Sequence, residues 1–192
     1  MSNNYWLVFW LVLWGSLLSA CASQTSKPAV NSASATVRAE DLTAWQNAQQ
    51  LIKQKKWAEA KTALGALAKT NANVAGVKIN LIAVYCAQEQ WSQAAQLLKQ
   101  IPDVAQSATL LNLSGVVAEH SGQITQAEQY YLSALAYPQA PAEAQYNLAL
   151  LYDIYWQDPQ KALPYYEAYS KVRPEDKAVA DWITEIKQKA KK

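Results

Sequence analysis

Trp57-Ala58-Glu59-Ala60 and Trp91-Ser92-Gln93-Ala94 repeat one pattern, and that pattern decides the fold. The small residue closing each motif returns at Ala127 and Ala162, so the four alanines stand 34, 33 and 35 residues apart. Apolar residues recur around them at helical spacing. A period near 34 built from paired helices describes units that cannot bury their apolar faces alone and must stack.

Working outward, the first unit runs Ala48, Leu51, Trp57, Ala60, Leu64 and the second Leu81, Tyr85, Trp91, Ala94, Leu98. The third runs Gly115, Gly122, Ile124, Ala127, Tyr131, Ala134, and the fourth Leu148, Ala149, Tyr152, Ala162, Tyr166, Tyr169, Pro174. Small residues let helix backbones approach closely, and the large ones fill the spaces between layers. Over residues 41–174 the sequence resembles the tetratricopeptide repeat family. The resemblance implies an all-α, right-handed solenoid with about four helix-turn-helix repeats at 40–174 and a capping helix at 175–192. In that helix Val179, Trp182, Ile183 and Ile186 share one face, acidic residues open it and lysines end it, as the helix dipole favours.

The fourth unit holds one extra residue between Tyr152 and Ala162. A longer turn is expected at Trp156-Gln157-Asp158, with Asp158 capping the next helix and Pro159 opening it. Pro164 falls inside that helix near its start and is expected to bend it or shift its onset.

The N-terminus is a different object. Trp6 to Ala20 is apolar and carries no charge. As a helix it rises about 22 Å, short of the roughly 30 Å of a bilayer core. It reads as the apolar region of a signal peptide at 1–20. Leu18-Ser19-Ala20-Cys21 resembles the lipobox of bacterial lipoproteins, although the leading Met1–Tyr5 holds no Lys or Arg. A plain secretory signal or an uncleaved anchor is the alternative. The resemblance implies cleavage before Cys21, acylation of its thiol and, since residue 22 is not Asp, an outer-membrane address on the periplasmic face. Residues 21–39 then form the lipidated cysteine and a Ser/Ala/Thr-rich tether without periodicity.

Composition narrows the function. Seventeen basic and 15 acidic residues give a net charge of +2, which argues against an electrostatic nucleic-acid binder. Five glycines, one histidine and two cysteines leave little for a phosphate loop, a zinc site or a haem site. His120 has only Glu119 and Ser121 beside it, and neighbours in sequence do not face one another on a helix. Cys86 reads as a structural thiol. No catalytic constellation emerges, so an enzyme is not expected, and no cofactor or metal is implied.

In tetratricopeptide proteins the first helix of each pair lines a concave face. Carried over unit by unit, that face holds Trp45, Gln49 and Ile52, then Ile79, Ala83 and Cys86, then Asn112, Val116 and Glu119, then Tyr146, Leu150 and Asp153, with Asn147 at its flank. Asparagines of this kind bind peptide backbone in some members. The positions are nearly free of Lys and Arg, which excludes the basic clamp that some members use on a terminal carboxylate. The face is apolar toward the first two units and acidic toward the last two, so an amphipathic helix or extended segment with a basic portion suits it.

The combination of lipobox, tether and solenoid resembles lipoproteins that serve type IV pilus assembly and secretin targeting. It also resembles accessories of outer-membrane protein assembly, partners of TonB-type systems, and protease or peptidoglycan adaptors. The expectation is an interaction scaffold held to the membrane through Cys21, with a periplasmic or outer-membrane protein in its groove. Pilus or secretion machinery comes first. The alternative is a permanent structural subunit, which an exposed aromatic patch around Tyr155, Trp156, Tyr165 and Tyr169 would favour.

Overall fold

The computed structural model describes residues 39–71, 74–104 and 107–190, all within the compact unit Val37–Lys192. The signal segment, the lipobox with Cys21 and the tether lie outside the described residues. Among the described residues regular structure is helical and no strand occurs. Four antiparallel pairs follow one another: α1 (Ala39–Lys53) with α2 (Trp57–Thr70), α3 (Ala75–Ala87) with α4 (Trp91–Leu98), α5 (Ala108–His120) with α6 (Ile124–Leu135), and α7 (Ala142–Leu150) with α8 (Pro159–Val172). Helix α9 (Lys177–Lys189) packs on α8. No described helix is long and apolar enough to cross a membrane.

The motif alanines sit where the helices of a pair cross. Ala60, Ala94, Ala127 and Ala162 have no exposed surface. The large buried side chains between layers are Leu64, Ile82, Tyr131, Leu148, Leu151, Tyr152 and Tyr166. Gly115 makes room for a ring of the partner helix. A Cβ there would stand 2.5 Å from Cδ1 and 2.9 Å from Cζ of Tyr131, and closer still to Cε1.

Each pair turns in the same way. Three residues separate its helices (54–56, 88–90, 121–123 and 156–158). The middle residue is left-handed every time: Lys55 at φ 57°, Glu89 at 56°, Gly122 at 75° and Gln157 at 52°. Equivalent backbone bonds close the turns, from Lys56 N–H to Leu51 O (2.9 Å), Gln90 N–H to Tyr85 O (2.8 Å), Gln123 N–H to Ala118 O (2.9 Å) and Asp158 N–H to Tyr152 O (2.8 Å). They satisfy carbonyls that a helix end would leave orphaned. The fourth spans one residue more than the others.

That difference corrects the expectation of a longer turn. The turn at 156–158 keeps its three residues, and the extra residue enters α7, whose continuation Leu151–Tyr155 is a π-helical turn. A π-turn holds one more residue without disturbing the register on either side. Asp158 caps α8 as expected, its Oδ1 accepting from Lys161 N–H at 2.9 Å, with Pro159 at the first helical position. Pro164 lies inside α8 without shifting its start.

Helix α4 stops at Leu98, well short of its counterparts. The chain then passes Ile101, Pro102 and Val104 and leaves an open cavity of about 480 Å³ against Val117 and Ala118 of α5 and Tyr130 of α6. At the C-terminal end Asp176 caps α9 by accepting from Val179 N–H at 3.3 Å. Val179 and Ile186 are buried, with Trp182 and Ile183 half-buried beside them, so α9 covers the apolar side of the last pair.

Candidate partner-binding face

The first helices α1, α3, α5 and α7 stand in a row, and their equivalent residues form ladders. One runs Trp45, Ile79, Asn112, Tyr146; the next Gln49, Ala83, Val116, Leu150; the third Ile52, Cys86, Glu119, Asp153. Asn112 is buried and the other eleven are half-buried. Half-burial is the state of a side chain that braces its neighbours on one side and meets solvent on the other.

Trp45 and Tyr146 both engage neighbouring helices. The Trp45 indole lies over Gly76, where a Cβ would come to 3.3 Å of its Cη2, so it ties the first unit to the second. Beside it is an apolar pocket of about 210 Å³ lined by Leu42, Leu67, Val74 and Val77. Tyr146 sits 5.1 Å from Tyr169 and 6.5 Å from Trp182 between ring centroids. Asn147 donates through Nδ2 to Oδ1 of Asn112 at 3.0 Å, joining units three and four. Ile52, Ile79, Ala83, Val116 and Leu150 pack against three of the hydrophobic clusters of the solenoid.

The two carboxylates share an arrangement. Tyr131 of α6 donates to Glu119 Oε2 at 2.7 Å, and Tyr166 of α8 donates to Asp153 Oδ2 at 3.2 Å. In both units a fully buried tyrosine of the second helix reaches between layers to orient a carboxylate of the first. Burial, followed by the neighbouring carboxylate, raises both phenol pKa values, so both tyrosines remain donors. Neither carboxylate belongs to an ion pair among the described residues. Tyr131 and Tyr166 were missing from the sequence-derived set. The signal was there, because an acid precedes a tyrosine by 12 residues in one unit and by 13 in the unit that holds the insertion.

His120 is exposed and stacks on Trp91, with centroids 3.6 Å apart and planes 11° from parallel. It therefore links α5 to α4. Cys86 is half-buried, and desolvation pushes its thiol up to about 12. At that value almost no thiolate exists at neutral pH, so the group is a poor nucleophile. The expected aromatic patch divides. Tyr165 packs on Tyr152 and Tyr169 on Tyr146, whereas Ile154, Tyr155 and Trp156 are exposed at 60%, 50% and 47%.

With this geometry in view, the comparisons fix the fold. A family model described as "Tetratricopeptide repeat" matches residues 51–114. The chain has a tetratricopeptide-type solenoid fold. The crystal structure of MamA superposes with a TM-score of 0.55 at 20% identity, covering 74% of this chain and 84% of that one. MamA 41-end from Desulfovibrio magneticus RS-1 gives 0.55 at 14%, covering 71% and 77%. A structure from the functional characterization of Pseudomonas aeruginosa pilF gives 0.63 at 18%, covering 79% and 69%. At these identities the likeness is one of fold. No curated protein matches the sequence.

Proposed function

We propose that this chain is a membrane-anchored scaffold that holds a protein partner on the row of first helices. Solenoids of this type bind proteins, and the row offers half-buried apolar ladders that end in two oriented carboxylates. That face is the observation that carries the reading. The lipobox-like Leu18-Ser19-Ala20-Cys21 supports an acyl anchor on the periplasmic face of the outer membrane. The lipoproteins that this combination resembles support envelope assembly, with pilus or secretion machinery first.

Affinity capture from crosslinked cells with a C-terminal tag tests this reading, alongside a Cys21→Ala strain. Recovery of one pilus, secretion or barrel-assembly component in near-stoichiometric yield, dependent on Cys21, supports it. Lipid-independent capture would remove the anchor from the account. Capture unchanged by Val116→Asp/Leu150→Asp would remove the face.

The exposed Ile154-Tyr155-Trp156 segment favours a second reading, permanent incorporation into a larger envelope assembly. In that case these three residues are covered in the assembly, and their solvent accessibility in intact envelopes distinguishes the two readings.

A further inference from the structure

We infer that the occupant of the first-helix face is a cationic amphipathic helix whose basic side chains lie two turns apart. This rests on the reading that the face binds protein, and it names the chemistry of the partner. Two features of one surface argue it together.

The first is charge. Glu119 on α5 and Asp153 in the π-helical continuation of α7 each spend one oxygen on a tyrosine hydroxyl from the second helix of their own pair. The second oxygen of each remains an acceptor, and among the described residues neither carboxylate is in an ion pair. Asp153 shares a small pocket with Glu185, Ile186 and Lys189 of α9, and the Lys189 ammonium there pairs with Glu185 at 2.7 Å. Glu143, in the first turn of α7, is bound to Arg173 at 3.0 Å. A carboxylate preoriented by a buried donor loses less conformational freedom when a cation arrives.

The second is the apolar surface between and beside them. Val116 and Leu150 lie one turn before the carboxylates on the same helices, and Ala83 and Ile79 continue the strip toward the second unit. Adjacent packed helices stand roughly 8–10 Å apart, so the two carboxylates recur at about 10 Å. Seven residues of α-helix advance about 10.5 Å and return to the same face. An extended strand advances about 3.3 Å per residue, so three residues match the distance but leave the two side chains on opposite faces. The spacing therefore selects a helix, with apolar residues between the cations to cover Val116 and Leu150.

The test uses the full chain and three synthetic 18-residue amphipathic peptides. They carry Lys, Gln or Glu at two positions seven apart, with identical leucines between and one photoreactive residue. Affinity is read by fluorescence anisotropy, and binding sites are mapped by mass spectrometry after irradiation. The Lys peptide is expected to bind at least tenfold tighter than the Gln peptide and to crosslink to α5 and α7. The Glu119→Gln/Asp153→Asn chain is expected to bring that ratio close to one. Both substitutions keep an acceptor for the tyrosine, so the fold is retained. If the Gln peptide binds as tightly as the Lys peptide and still crosslinks to α5 and α7, the charge assignment falls and the face survives. Crosslinks confined to α2, α4, α6 or α8, or no binding by any of the three, overturn the proposal and count against the face itself. A Lys preference that persists in the double variant also overturns it.

Discussion

The ring of Tyr131 fills the space that a side chain on Gly115 would occupy, and its hydroxyl is held at 2.7 Å by Glu119 four residues further along the same helix. The ring cannot retreat, because it is fully buried and tethered at its far end. Gly115→Ala should therefore destabilise the protein by about 1–3 kcal/mol through overpacking, despite the better helix propensity of alanine. Chemical denaturation checks this, and an unchanged or increased midpoint would show that the ring has room to move.

The four turns predict that glycine stabilises, and its loss destabilises, the same left-handed position. Lys55, Glu89 and Gln157 are left-handed residues with side chains, whereas Gly122 is a glycine with nothing within 4 Å of its Cβ position. Lys55→Gly, Glu89→Gly and Gln157→Gly should each stabilise by roughly 0.5–1 kcal/mol, and Gly122→Ala should destabilise by about 1 kcal/mol through backbone strain alone. Thermal melts of the four variants check the pattern. A stabilised Gly122→Ala would contradict the turn geometry.

Stability should collapse in alkali. Desolvation raises the pKa values of Tyr131, Tyr146, Tyr152, Tyr166 and Tyr169 above the ordinary tyrosine value near 10. A raised folded pKa gives stabilisation that is complete below the unfolded value and vanishes as pH climbs from about 10 through the folded value. Phenolate absorbance should lag behind that of a model phenol and then rise together with unfolding. Tyr131→Phe should make the loss of stability with pH shallower. Independent titration of all tyrosines near pH 10 in the folded protein would contradict this.

Cys86 should be nearly inert in the folded chain. In a Cys21→Ala background its thiol, pushed up to about 12 by desolvation, should react with an aromatic disulfide at pH 8 far more slowly than a free thiol, and at the ordinary rate in denaturant. Rapid native labelling would mean that α3 opens toward solvent at this position.

The repeat was legible because its signals are local. Alanines at a period near 34 mark helix crossings, and Asp158-Pro159 announces a cap. What stayed hidden depends on the register between elements. Only Gly122 of the four left-handed residues declares itself, since stacking imposes the turn on Lys55, Glu89 and Gln157 regardless of their preference. The extra residue near Tyr155 was visible, but its destination was not. A lengthened turn would have broken the bond from Asp158 N–H to Tyr152 O, and the π-turn preserves it. The early end of α4 was missed although Pro102 lies just beyond it. On the candidate face the ladders follow from the period. The pairing of Glu119 with Tyr131 and of Asp153 with Tyr166 needed the distance between layers, as did the engagement of Asn147 by Asn112.

The account stands or falls on which surface meets the partner. A photoreactive residue placed in living cells at Ala83, Val116 or Leu150 on the first helices, and at Thr62 or Leu132 on the second helices, tests this most directly. The account predicts one discrete crosslinked adduct of the same mass from the three first-helix positions and none from Thr62 or Leu132. An adduct from Thr62 or Leu132 with silence at Ala83, Val116 and Leu150 would contradict it.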